Sequence, residues 1–378
     1  MRQDGRHPPA QMVVVKAMTK RIEYINVAKF LAMLLVVFCH GFKEGHFVAF
    51  AYSFHLPVFF FLNGMTLKLE NQEFGSFLTK KLKNFIIPMF GLGILTVLFQ
   101  ILVKSLLNQN IPDNVLLVGL ARIINQTRTF AIWFLPSLFF TNLMMFGIHR
   151  LFKGKVFLMS VGALAILGLG LLFNRYHNVS LVWNFDTALI GIVFTYFGYL
   201  FKSKSLSRIY GFVIDGRWLS LIIGLGLLVG TYFLSTYHYD IYHRHLEMYF
   251  RIYNPPYLVL PCALIGCFGF VLFCRGISNF VLAKPVEINL ALLPLHQELA
   301  FPLFRSIIAK EWWMSVAALP PTDYRFILFA LTLATFSLAV ATVIHFILKY
   351  SPLSPIVNQP LASFYRVKKT ETNCVMHS

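Results

Sequence analysis

Apolar runs of about twenty residues, separated by short polar or basic links, recur along nearly the whole chain. A run of that length crosses the hydrocarbon core of a bilayer as a helix. Taken in order, the runs predict spans at about 22–42, 47–67, 85–107, 131–151, 156–173, 186–201, 218–234, 257–274, 287–308 and 325–348. The polar connection at 108–130 holds a short amphipathic helix around 115–124. The link LENQEFGSFLTKKLKN before the third span reads as polar, and the segment 235–256, crowded with tyrosine and histidine, reads as a structured external loop. The fold class predicted is therefore an all-α integral membrane bundle of about ten transmembrane helices.

Composition agrees: 57% of residues are hydrophobic and 13% charged, outside the range of soluble globular chains. The formal net charge of +18 would ordinarily point to an anionic partner such as nucleic acid. Its placement gives a different account, because the basic residues fall between the apolar runs and mark the cytoplasmic side. With both termini inside, 22 of the 33 lysines and arginines fall in cytoplasmic segments, 10 fall outside, and Lys29 lies within the membrane. Residues 1–20 then form a basic cytoplasmic tail, 21–350 the transmembrane domain and 351–378 a cytoplasmic C-terminal tail. The five cysteines lack metal-ligand or redox spacing, so neither a metal nor a disulfide is expected.

The first span carries two ionisable groups, Lys29 and His40. Eleven residues turn a helix by roughly 1100°, about 20° past three full turns, and raise it by about 16 Å. The two groups therefore share one face, with Lys29 toward the cytoplasm and His40 near the outer end. His55, early in the second span, sits at a similar outer depth. Ionisable groups at membrane depth are costly and usually mark function. Singly, each has a plain structural reading: Lys29 could snorkel to the interface, His40 could be interfacial, and His55 near Pro57 or His296 near Pro294 could bond freed backbone carbonyls. Together they fit a general base at the outer mouth of a cavity and an anion contact nearer the inside. A transporter or exporter of a polar or lipid-linked sugar would use the same polar path.

A basic residue, ten intervening residues and a histidine, followed by FHLPVFFFLNG, resembles membrane acyltransferase family three, which includes bacterial surface-polysaccharide O-acetyltransferases. The fucose 4-O-acetylase-like branch is the most similar. FLTKKLKNFIIP, AIWFLPSLFF, FTYFGYLFK, EMYFRIYNPP and INLALLPLHQ are similar to further pieces of that branch, in the same order, across about 21–350. The resemblance implies a multi-pass protein of the bacterial cytoplasmic membrane that moves an acyl group, usually acetyl, from cytosolic acyl-CoA to a sugar hydroxyl presented outside. The acceptor implied is a surface polysaccharide or its lipid-linked precursor, the donor co-substrate acetyl-CoA, and the surroundings the lipid bilayer; no nucleic-acid partner is expected. Carried over by position, Lys29, His40 and His55 take the catalytic places. Arg21, Lys29, Lys80 and Lys81 become candidates for the phosphates of CoA, and Tyr253, Asn254 and His296 for the acceptor. Many members of the family carry an aspartate three residues before the basic residue and a glycine after it, where this chain has Asn26 and Phe30.

Overall fold

The computed structural model describes residues 10–41, 45–126, 128, 130–177, 179–202, 216–307, 315–316, 319 and 323–354, with side chains from residue 23 onward except those of 280 and 307. Among these residues the fold is all helical, and the single β-bridge pairs Glu247 with Ile252. We number the helices α1 (Ala10–Cys39), α2 (His46–Thr66), α3 (Phe74–Leu106), α4 (Val115–Asn125), α5 (Ala131–Leu151), α6 (Val156–Tyr176), α7 (Val182–Lys202), α8 (Arg217–Tyr242), α9 (Pro256–Ile277), α10 (the broken run 280–307) and α11 (Tyr324–Lys349). Eight of them, α2, α3, α5 to α9 and α11, are long and apolar enough to cross a membrane. The protein is a multi-pass membrane protein.

Helices α5 and α7 are the most buried of the spans, whereas α6, α8 and α11 turn most of their surface outward. Their outward residues are large and apolar, such as Phe157, Leu164, Phe233 and Val343, as a lipid-facing surface requires. Inside, the packing depends on close backbone approach. Lipid tails are as apolar as leucine, so helices in a bilayer associate mainly through tight van der Waals packing over small residues. A Cβ added at Gly64 of α2 would lie 1.9 Å from the Thr195 carbonyl oxygen of α7, and one at Gly198 would lie 1.9 Å from the Phe61 oxygen. Backbone cannot move aside there as a flexible side chain would. Gly198→Ala is expected to destabilise the protein by about 1–3 kcal/mol, read as a lower thermal unfolding midpoint in detergent. Gly75→Ala, where a Cβ meets nothing within 4 Å, should leave the midpoint unchanged.

Several boundaries differ from the sequence reading for identifiable reasons. Helix α1 begins at Ala10, because the residues before the apolar run continue its backbone rather than stopping at 22. The polar link before the third span turns helical at Phe74, and Phe77 packs inward while Lys80 stays exposed, so an amphipathic turn precedes the apolar stretch. Helix α8 runs on to Tyr242, so the first eight residues of the expected external loop are helical, and the loop proper is confined to 243–255. The expected ninth span is not one continuous helix. Lys284–Ile288 is a 3-10 turn, Asn289–Leu295 is α-helical around Pro294, and His296–Ala300 is a π-helical turn leading to Phe301–Ile307. Proline lacks the N–H that α-helix continuity needs, and π turns inside helices are frequent at functional sites. The short amphipathic helix expected near 115–124 is present as α4. The tryptophans Trp312 and Trp313 lie outside the described residues.

Candidate active site

The site forms where α1, α2 and α10 meet. His40 follows the last turn of α1, its backbone N–H still bonded to the Val36 carbonyl at 3.1 Å. The face expected from helical spacing is therefore kept through to His40. Its imidazole meets that of His296, with ring centroids 5.0 Å apart and His40 Nδ1 3.3 Å from His296 Nε2.

Local backbone fixes the hydrogens of this pair. The Nδ1 of His296 faces the Leu292 carbonyl oxygen at 2.8 Å, and a carbonyl can only accept, so Nδ1 carries the proton. The neutral ring then accepts at Nε2, and the hydrogen between the two rings belongs to His40 Nδ1. That leaves the lone pair of His40 on Nε2, the atom turned away from the pair. The Gln297 carboxamide also reaches His40 Nδ1, with its Nε2 placed toward the ring; amide oxygen and nitrogen are assigned from their partners, and we turn the amide over so that its oxygen accepts from the donating Nδ1. His55 repeats the device, its Nδ1 bonded to the Ala51 carbonyl at 2.9 Å two residues before Pro57. His55 and His296 do bond backbone carbonyls, but not ones freed by proline, because the Ala51 and Leu292 oxygens also accept the backbone N–H of the same histidines; the ring bond fixes which nitrogen of each is the free base. If His296 positions His40 in this way, His296→Phe should lower turnover by about 10²–10⁴-fold, the range that a positioned base contributes. His296→Gln, whose oxygen can accept from His40 Nδ1, should recover most of it, a difference that a packing role would not produce.

Around the histidines lies an aromatic and acidic collar. The Tyr52 ring contacts both His55 and His245, each at 4.5 Å between centroids. His245 Nε2 lies 3.6 Å from Glu247, whose other oxygen accepts from the Tyr249 N–H at 3.1 Å. Next to it is a buried ion pair, Arg128 to Asp186 at 2.6 Å. Arg128 also donates to Thr187 at 3.0 Å and to Ser180, and its carbonyl accepts from the Tyr249 hydroxyl at 2.9 Å. Tyr253 is buried, its hydroxyl toward Thr187. Burial pushes that phenol above its ordinary value, against the opposing pull of Arg128, so it stays an O–H donor.

On the other side of the same helix face, a narrow cavity begins at Lys29 and runs along Met33 and Val36, one turn short of His40. Lys29 is 5% exposed. Lys81 is also buried, its Nζ over the rings of Phe77 and Phe85 at 5.2 and 5.8 Å. Asn26, which stands where the aspartate of many relatives would be, is buried with its Nδ2 unpartnered.

The sequence-predicted residues thus separate into groups. His40 and His296 are in contact, with His55 close enough to act electrostatically on His40. Lys29 and Lys81 lie toward the opposite end of the site, within charge range of each other. Lys80 is turned outward and lines an open groove with Ser76, Thr79 and Lys83 instead. The side chain of Arg21 lies outside the described residues. Tyr253 points inward beside Arg128, whereas Asn254 is exposed, its carbonyl accepting from His238 at 3.0 Å. Sequence reading missed Gln297, Tyr52, Glu247, Arg128 and the asparagines Asn63 and Asn289. The signal available for Arg128 was one of two cations, with Arg122, in a connection otherwise poor in charge, and for Asn63 an amide inside an apolar run.

A many-helix bundle with paired histidines one turn beyond a cavity that begins at a buried lysine is a multi-pass membrane protein with ionisable groups held at membrane depth. The chain matches the sequence profile of membrane acyltransferase family three, described as an acyltransferase domain, over residues 22–346, and belongs to that family. No curated protein and no solved structure gives a match.

Proposed function

We propose that this membrane acyltransferase is an O-acetyltransferase that carries acetyl from cytosolic acetyl-CoA to a hydroxyl of a cell-surface polysaccharide or its lipid-linked precursor. In this reading both termini lie in the cytoplasm of a bacterium and the bundle spans its inner membrane. The observation that carries it is the His40–His296 contact, with the His40 Nε2 lone pair turned away from the pair, one turn of α1 beyond a cavity that starts at Lys29.

A thioester is already activated, so the protein has mainly to position the two reactants and take up the hydroxyl proton. The acceptor oxygen attacks the thioester carbonyl as His40 Nε2 takes its proton. The new C–O bond forms, the C–S bond breaks, and the proton passes to the departing thiolate, leaving an ester, a free thiol and neutral His40. Direct transfer suits this geometry better than a covalent acyl-histidine, because Nε2 needs only to face the hydroxyl. Lys29 and Lys81 would hold the donor's phosphates, with Lys80 and Arg21 as further contacts at the cytoplasmic surface. Glu247, Tyr249, Tyr253 and the exposed Asn254 would line the acceptor's approach, since aromatic faces with polar tips suit sugars. His296 acts in this scheme through His40 rather than on the acceptor.

Family membership favours this reading over an exporter. The direct test is to compare, by NMR, the surface glycan of cells with and without the gene. Loss of O-acetyl signals at one hydroxyl position is expected on deletion; identical spectra, with the protein shown to be expressed in the parent, would remove the assignment.

A further inference from the structure

The cavity that starts at Lys29 is walled almost wholly by apolar side chains from α1, α2, α3, α5 and α10, such as Met33, Phe59, Leu138 and Leu293. Four polar side chains interrupt the lining: Lys29 at its start, Thr66, and two asparagines, Asn63 on α2 and Asn289 on α10. Neither amide is free to choose which way it faces. Asn289 Nδ2 donates to the Lys29 carbonyl at 2.8 Å, which leaves its oxygen over, and that Oδ1 is buried without a partner. Asn142 Nδ2 donates to the Leu138 carbonyl at 2.6 Å and to Asn63 Oδ1 at 3.2 Å. Asn63 is thereby left with its nitrogen over, and Nδ2 is likewise buried without a partner. Both orientations are anchored on backbone carbonyls, so one spare donor and one spare acceptor belong to residues that line a site whose walls, Lys29 and Thr66 apart, are otherwise apolar.

Buried polar atoms in native proteins are nearly always paired, and an orphan asks for an explanation. A ligand that supplies one acceptor and one donor on an otherwise apolar chain explains both at once. A trans secondary amide does this, with its C=O and N–H on opposite edges of one plane. We propose that Asn63 and Asn289 bind an amide of the acyl donor's arm, Asn63 Nδ2 donating to the amide carbonyl and Asn289 Oδ1 accepting from the amide N–H. The donor chemistry so recognised is a pantetheine thioester, whose arm carries secondary amides between short apolar links. Coenzyme A and the phosphopantetheine group of an acyl carrier protein share it. The placement fits the reaction proposed above, on which this inference rests: the basic residues Lys29 and Lys81 lie at one end, and Val36, one turn from His40, at the other.

The test compares two small donors with the full-length protein in detergent, S-acetyl-N-acetylcysteamine, which keeps one amide, and S-pentyl thioacetate, which has none. Wild type should prefer the first by at least about tenfold in kcat/KM, the size of one or two buried hydrogen bonds. Asn63→Leu and Asn289→Leu should remove the preference by slowing only the amide donor. Asn63→Asp should act like Asn63→Leu, because it keeps the size and the acceptor toward Asn142 but loses the spare donor, so a folding defect in the leucine variant does not decide the outcome. Equal rates for both donors in wild type, or an equal fall for both in the variants, would overturn the proposal and leave water or packing as the role of the two amides. Calorimetric binding of pantetheine separates this from the acyltransferase reading: binding weakened about tenfold in each variant supports the amide site even if no acetyl is transferred, and no binding to wild type overturns it while transfer from acetyl-CoA stands. Acetyl-CoA and an acetylated acyl carrier protein, run side by side, identify the source, and either one losing its rate selectively in the variants supports the site.

Discussion

Replacing His40 by alanine is expected to lower acyl transfer by about 10³-fold while the protein still inserts and accumulates in the membrane. The size follows from what is removed. Without Nε2 the base assigned to the hydroxyl proton is lost, and the thioester must be attacked by a far weaker nucleophile. The side chain is only partly buried and sits past the end of α1, bonded to its neighbours through His296 and Gln297 rather than packed in the core. Stability should therefore change little. The check is acetyl transfer per mole of purified protein, with the thermal unfolding midpoint measured on the same samples. His40→Gln should be as inactive as His40→Ala, since an amide can accept a hydrogen bond but cannot carry the proton away.

The largest effect on stability is expected at Arg128. Its guanidinium and the Asp186 carboxylate are 8% and 4% exposed, and the pair is held by Thr187 and Ser180 beside it. Arg128→Leu leaves Asp186 buried without its cation, at a cost of about 3–5 kcal/mol. The same change removes the long side chain that joins the connection after α4 to the start of α7, while the Arg128 carbonyl can still accept from Tyr249. The double variant Arg128→Leu/Asp186→Leu should recover much of the loss, because a well-packed apolar pair often replaces a buried ion pair at little cost. Thermal unfolding of the single and double variants in detergent reads both expectations. Recovery of stability without recovery of activity in the double variant would place the pair in acceptor binding as well as in folding.

Much of the bundle was legible because membrane helices obey a simple rule: backbone polar groups must pair within the helix, so apolar length announces the span. The spans at 131–151, 156–173 and 257–274 fall within a few residues of α5, α6 and α9. Reading failed where pattern and packing diverge. Polar residues at Phe74–Lys81 and Ser235–Tyr242 suggested links, yet both continue helices whose one face is buried. The broken course of α10 is set by Pro294 and a π turn whose position depends on tertiary contacts that no periodicity reports.

The site was legible along one helix and not across helices. Spacing alone put Lys29 and His40 on one face, because both lie on α1. The residue that touches His40 is His296, 256 positions away, and helical periodicity does not carry across that separation. His296 entered the reading as a bonder of backbone carbonyls near Pro294 and, by resemblance, as a contact for the acceptor, not as the partner of His40. Arg128 with Asp186, and Asn63 with Asn142 and Asn289, likewise join distant elements, and of these only Asp186, at the opening of its span, stood out in its own run. Lys80 and Lys81 show the converse: adjacent in sequence, they face opposite ways on α3, one toward solvent and one over Phe77 and Phe85.

The most direct measurement supplies the purified protein, reconstituted in lipid vesicles, with acetyl-CoA labelled in the acetyl group and with the de-O-acetylated surface glycan or its lipid-linked precursor. The account predicts base-labile label on the glycan, formed in step with free CoA thiol, and no label above background with His40→Ala. No label with the wild-type protein, or equal labelling by wild type and His40→Ala, would contradict it.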